Sequence, residues 1–118
     1  LGAVTRAPIG VLRSLPATRR LLEDAMREIV VLAQSRGVDL AAEAVDDAMA
    51  FVDGLPALGT ASMQRDVMAG RPSELEAQNG AVVRLAREAG VDVPTHRFIY
   101  ASLLPQEHAA RQASRTVR

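Results

Sequence analysis

Residues 61–90 read ASMQRDVMAG RPSELEAQNG AVVRLAREAG, and the reading of this stretch decides the fold. Thr60 or Ala61 opens a short helix that reaches Ala69 and breaks at Gly70-Arg71-Pro72, a sequence that cannot continue it. Ser73-Glu74-Leu75-Glu76 follows as a capping box, with Ser73 at the N-cap and Glu76 three residues on. The helix it starts is expected to run to Ala89 and to close at Gly90, suited to the left-handed position past a C-terminus. Leu75, Val82, Val83 and Ala86 fall on one stripe of that helix, and Asn79 falls on the same stripe. Asn79 is the chain's one asparagine. A buried amide without a partner costs about 1–3 kcal/mol, so Asn79 is expected to bond a neighbouring helix end or loop. Ser62 and Asp66 lie one turn apart on the short helix, where they form a polar face with Glu74 across the turn.

Upstream, the period is helical as well. Leu22, Met26, Ile29, Val30 and Ala33 recur as one buried stripe between Pro16 and Arg36, with Arg20, Glu23, Asp24, Arg27 and Glu28 covering the rest. Pro16 suits a first helical turn and Gly37 the position just past the end. Asp39 is expected to cap a second helix whose Leu40, Ala44, Ala48 and Phe51 share a face before Gly54 and Pro56. Downstream, Pro94-Thr95 begins a helix from about His96 to Leu104, and Pro105 interrupts or restarts the chain into a last amphipathic segment. No stretch alternates with period two over strand length, and there is no internal repeat. The expected class is all-α, one multi-helix domain over residues 1–118.

Composition narrows the chemistry. All 14 basic residues are arginine, so the 118-residue chain has no lysine, and it has no cysteine or tryptophan either. These absences exclude a catalytic thiol, a disulfide framework, a cysteine-based metal site, a Schiff-base lysine and a phosphate-loop lysine within these residues. His96 stands near a helix start and His108 in an Ala-rich tail. Their spacing fits no metal motif, and both are expected at the surface with no metal site. The adjacent Asp46 and Asp47 do not share a helix face, so no paired-carboxylate site is supported there. Net charge is zero, with both signs interspersed, which argues against a nucleic-acid surface. Only the tail RQASRTVR is locally basic through Arg111, Arg115 and Arg118, and it reads as a frayed, solvated end. No apolar run reaches the roughly 18 residues of a membrane span, and the start LGAVTRAPIG lacks the pattern of a signal peptide. Aromatic residues make up 3% of the chain, so the core is built from Leu, Val, Ala and Met. Surface scaling for this mass gives a folded area of about 6,200 Å² against about 18,000 Å² unfolded, enough for an independent core.

Residues 61–80 resemble the SSMLQDV…GRxTEIDxxNG signature of the C-terminal domain of ketopantoate reductases (2-dehydropantoate 2-reductases), a helical fold like that of the 6-phosphogluconate dehydrogenase C-terminal domain. Thr5-Arg6-Ala7-Pro8-Ile9-Gly10-Val11-Leu12-Arg13 resembles the family's turn after its central long helix. Ala81–Ala86, Gly90-Val91 and Pro94-Thr95 are similar to the helix and loop after the signature. The resemblance covers nearly the whole chain. It implies a cytoplasmic two-domain enzyme of pantothenate biosynthesis, in which a Rossmann domain binds NADPH and a helical domain closes over it. Hydride passes to the ketone of a 2-oxo acid while a lysine ammonium stabilises the forming alkoxide. By the resemblance, Ser62 contacts substrate and Glu74 lies at the cofactor side of the cleft, as a hydroxyl or ribose acceptor rather than a proton donor. Asp66 and Asn79 remain structural polar residues.

Four positions depart from the family pattern. Ala61 replaces the first serine of the pair, Gln64 the usual leucine, and Gly59 and Ile9 stand where some members carry a substrate-contacting asparagine. These departures leave room for another 2-oxo acid. The eight glycines include no GxGxxG spacing, and the family's lysine belongs to a helix expected to end just before Leu1. The chain is thus expected to be the helical half of an active site, with no catalytic residue of its own and inactive alone. The alternative is a non-enzymatic helical module of the same fold that works by dimerisation or other contacts. A homodimer is compatible with both.

Overall fold

The computed structural model describes residues 1–116, and all its regular elements are helical. Helix α1 (Gly2–Thr5) is a single turn closed by Arg6 in the left-handed region, φ 58°. Helices α2 (Ile9–Ser14), α3 (Pro16–Ser35) and α4 (Ala44–Asp53) follow, then α5 (Ser62–Met68), a π-helical turn (Glu76–Gly80), α6 (Ala81–Ala89) and α7 (Pro94–Thr116). Pro16 opens α3 and the C-terminal glycines Gly37 and Gly90 take φ 82° and 68°, so the expected starts and stops hold at these points.

Two apolar centres hold the helices. Ala3, Val67, Leu75, Ile99 and Leu103 join α1, α5 and α7 around the segment before the π turn. Leu32, Ala86 and Val93 join α3 to α6 and the start of α7. Leu, Val and Ala dominate both, as the near-absence of aromatic residues requires.

One expected face is rotated. In α4 the buried residues are Met49 and Val52, with Val45 half-buried, while Phe51 is 70% exposed. The period is the expected one, but the face is turned by one residue, about 100°. In α3 the expected stripe largely holds, with Leu22, Met26, Val30 and Ala33 half-buried; Ile29 alone of the five is exposed, and Leu32 is the helix's buried residue. Asp39 caps nothing: α4 begins after Glu43, and Asp39 is an exposed residue of the preceding loop.

Helix α7 is continuous through Pro105. Proline removes one i→i−4 hydrogen bond, but Ile99, Leu103, Glu107 and Ala110 keep one buried face on both sides of it. Packing thus outweighs the local penalty and no restart occurs. The tail is helical to Thr116; Arg111 is anchored, Arg115 is exposed, and Arg118 lies outside the described residues. No described helix is long and apolar enough to cross a membrane.

The molecule is flat, with extents of 48 × 36 × 20 Å. Its accessible surface is 7279 Å², well above the roughly 6,200 Å² expected for a monomer of this mass.

Candidate functional site

The residues before Ser62 are tied down by backbone. At the start of α2 the N–H groups of Ile9 and Gly10 donate to the carbonyls of Gly59 (3.0 Å) and Ala57 (2.8 Å). Glycine is required at position 10, because a Cβ there would lie 2.7 Å from the Ala57 carbonyl oxygen and 2.9 Å from its Cα. Arg13 reaches from the same helix to the carbonyls of Val52 (2.9 Å) and Leu55 (2.7 Å), ending α4 and starting the loop. Arg65 donates to the Thr60 carbonyl at 2.6 Å and to its hydroxyl at 3.2 Å. Ile9, Leu55, Pro56, Gly59, Thr60 and Ala61 line an open groove of about 230 Å³. Ser62 stands next in sequence to its last lining residue. It is the first residue of α5 and exposed, and its hydroxyl has no hydrogen bond among the described residues.

The other polar residues of the signature have their own partners. Asp66 accepts from Arg71 at 3.2 Å, fastening the end of α5 to the turn beyond Gly70. Glu74 is exposed and accepts from Gln78 at 3.0 Å. No hydrogen bond among the described residues joins Ser62, Asp66 and Glu74, so the expected shared polar face is not a bonded cluster.

The capping box is replaced by a longer-range arrangement. Ser73 Oγ does accept from the Leu75 N–H at 3.3 Å. Glu76 does not return to Ser73; the Ser73 N–H donates to the Glu107 carboxylate at 3.0 and 3.1 Å, and the Ser73 hydroxyl donates to it at 2.6 Å. Glu107 is 3% exposed. Arg111 neutralises it at 2.9 Å and also donates to the Ser73 carbonyl at 3.0 Å. Glu74 therefore sits on a turn held from α7. Freed from the box, Glu76 accepts from Tyr100 and from Arg84 (2.9 Å). The Tyr100 hydrogen bond, then Arg84, hold its carboxyl below the ordinary value, and the same bond raises the Tyr100 hydroxyl. Gly80 makes room for this group: a Cβ there would lie 2.7 Å from Glu76 Oε2.

Asn79 points inward from the π turn and bonds His96 Nδ1 at 3.2 Å. His96 was expected at the surface, yet it is only 9% exposed. Its Nε2 lies 2.9 Å from the Ala25 carbonyl of α3, which can only accept, so Nε2 carries the proton and Nδ1 accepts from the Asn79 amide. Glu28 accepts the N–H groups of Thr95 and His96 at 3.0 and 3.1 Å, capping α7 and burying the ring. His108 is exposed and contacts Gln112.

The roles of Glu107, Glu28 and Gln64 were not anticipated: Gln64 was read only as a departure from the family pattern and Glu28 only as part of a polar helix face. Gln64, at the family's leucine position, is buried and donates to the Ala7 carbonyl at 3.0 Å, tying α5 to the turn before α2. The Glu107–Arg111 spacing of four residues was an available signal for that pair. No group of three or more acidic or histidine side chains is arranged to hold a metal among the described residues.

The family model described as ketopantoate reductase PanE/ApbA C terminal matches residues 1–107. The chain belongs to the ketopantoate reductase C-terminal family. Over 90 residues it is 35% identical to the 2-dehydropantoate 2-reductase of Halobacterium salinarum, covering 76% of this chain and 29% of that protein. Over 98 residues it is 30% identical to that of Pyrobaculum aerophilum, covering 83% of this chain and 35% of that protein. It thus spans about a third of the length of these curated relatives. A dimeric ketopantoate reductase from Staphylococcus aureus superposes with a TM-score of 0.85 at 28% identity, over 91% of this chain and 37% of that one. The ketopantoate reductase helical domain is therefore the architecture of these residues, and the π turn, the Ser73–Glu107 link and the groove before Ser62 are its local features here.

Proposed function

We propose that these residues are the substrate-cleft domain of an NADPH-dependent 2-oxo acid reductase of the ketopantoate reductase type. The observation that carries this reading is the placement of Ser62 and Glu74, the two signature residues with substrate and cofactor roles, on exposed ends of tightly held segments. Ser62 offers a free hydroxyl beside a groove. Glu74 has one carboxylate oxygen engaged by Gln78 and the other open to a hydroxyl donor. That free acceptor suits a ribose hydroxyl.

The bound cofactor would supply a hydride, one proton with two electrons, for C2 of the 2-oxo acid. A solvent-derived proton then reaches the resulting alkoxide by way of the upstream lysine, giving the 2-hydroxy acid. Arginine cannot replace that lysine as proton donor, because its guanidinium holds its proton too tightly near neutrality. The Ser62 hydroxyl orients the substrate, and Glu74 holds the cofactor side. A Rossmann domain and the lysine lie outside these 118 residues, in the same protein.

The excess accessible surface fits this reading, because a cleft domain needs a face for its partner. It would also fit a helical interaction module, so activity decides between them. The 118-residue chain alone is expected not to oxidise NADPH in the presence of ketopantoate or other 2-oxo acids. The full reading frame containing it is expected to do so. Steady turnover by the isolated chain, or inertness of the full protein towards every 2-oxo acid, would contradict the proposal.

A further inference from the structure

We infer that Glu107 and Arg111 of α7 are positioning residues for cofactor binding: together they hold the backbone on both sides of Glu74 and so aim its open carboxylate oxygen at the cofactor. The inference rests on the proposed role of Glu74 and goes beyond it by naming what sets the direction of that side chain.

Glu74 has little local structure to hold it. It precedes the π-helical turn and belongs to no helix, and its exposed side chain makes one hydrogen bond among the described residues, from Gln78. Peptide groups are planar, so the direction of the side chain follows from how the peptide groups around it are oriented. Three consecutive ones are held. The Pro72–Ser73 peptide donates its N–H to the two Glu107 oxygens at 3.0 and 3.1 Å. The Ser73–Glu74 peptide has its carbonyl oxygen bonded by Arg111 Nη2 at 3.0 Å. The Glu74–Leu75 peptide donates its N–H to the Ser73 hydroxyl at 3.3 Å, and that hydroxyl donates in turn to Glu107 at 2.6 Å. Arg111 Nε closes the arrangement on Glu107 at 2.9 Å. Ser73 and Leu75 are buried, and Glu74 between them is exposed.

Charge balance alone does not require this geometry. A cation beside Glu107 would neutralise it; the planar fork of Arg111 bridges the carboxylate and the backbone carbonyl at once, which the single ammonium of a lysine is poorly shaped to do. Side chains that meet a ligand keep their aim when supporting hydrogen bonds lock them. Here the support comes from residues 34 and 38 positions further along the chain, outside the turn that carries Glu74.

NADPH binding to the full reading frame, read from the fluorescence of NADPH itself, tests this without turnover. Arg111→Lys keeps a cation beside Glu107 and gives up the bond to the Ser73 carbonyl. Glu107→Gln keeps the size and one acceptor oxygen and gives up the charge. Each is expected to weaken NADPH binding about tenfold, the scale of one hydrogen bond to a charged acceptor, and Glu74→Ala about as much. Added to Glu74→Ala, neither is expected to weaken binding further, because residues that act through one another do not add. In turnover the loss is expected in the KM for NADPH rather than in kcat. An unchanged Kd in Arg111→Lys, whose side chain is half exposed and tolerates the exchange, would overturn the inference. So would a loss that persists in full in the Glu74→Ala background, which marks a merely structural effect. If Glu107→Gln does not fold, Arg111→Lys decides alone. Parent-like NADPH binding by Glu74→Ala would overturn the role of Glu74 and the inference with it, and a full protein that binds no NADPH would overturn the reductase reading itself.

Discussion

The Glu107 carboxylate is buried beneath the turn that carries Glu74, and its acceptor sites are filled by Ser73 and Arg111. Removing one partner of a buried charged group costs about 3–5 kcal/mol, because the remaining groups stay desolvated and unpaired. Glu107→Ala is expected to lose stability of that order in urea denaturation; a change under 1 kcal/mol would show that the turn holds without it. The Asn79–His96 pair makes a finer claim. Nitrogen-15 NMR of His96 is expected to show the proton on Nε2, and a proton on Nδ1 would contradict the Ala25 contact. Glu76 adds a pH dependence. Its folded pKa is lowered, so its contribution is present above the unfolded value of about 4.3 and is lost as pH falls through the folded one. Melting temperature should therefore decline less between about pH 5 and pH 3 in Glu76→Gln than in the parent; parallel curves would contradict the bond's linkage to folding. Asn79's inward direction was legible from its stripe. The partner of Glu107 was not, because it lies 34 residues away and no local pattern encodes such a contact.

At the scale of elements, the helices after Pro16 were legible, while α1 and α2 (Ile9–Ser14), in a stretch read as a turn, were not; helix face was less legible still. Both α3 and α4 kept their expected period, yet Ile29 and Phe51 face outward, because periodicity fixes spacing while the neighbouring helices choose the rotation. The segment before Ser62 has the same character: Ser62 at the start of a helix was readable, but the groove beside it depends on α2 meeting residues 57–59. Gly10→Ala is expected to destabilise the domain by about 1–3 kcal/mol, since overpacking against backbone forces a shift, and an unaffected melting temperature would show that the two segments are not in close contact. Pro105 tests the opposite case. A proline inside a helix costs about 3 kcal/mol, so Pro105→Ala is expected to raise the melting temperature; a fall would mean that α7 needs the proline's shape.

At the scale of the molecule, the surface is larger than its mass predicts and carries exposed apolar residues, Leu58 at 86% among them. The proposed reading, in which the chain closes over a second domain, accounts for such a face and gives the absence of lysine from these residues a meaning. The chemistry of the proposed reaction needs one ammonium, and under that proposal these residues would supply part of its surroundings: a hydroxyl at Ser62 and a carboxylate at Glu74. The most direct measurement is the steady-state kinetics of 2-oxo acid reduction by the full reading frame with Ser62→Ala. The account predicts that kcat/KM falls about 10–100-fold, the loss of one hydrogen bond to a charged substrate, while the melting temperature stays unchanged because Ser62 is exposed. Unaltered kinetics would contradict it.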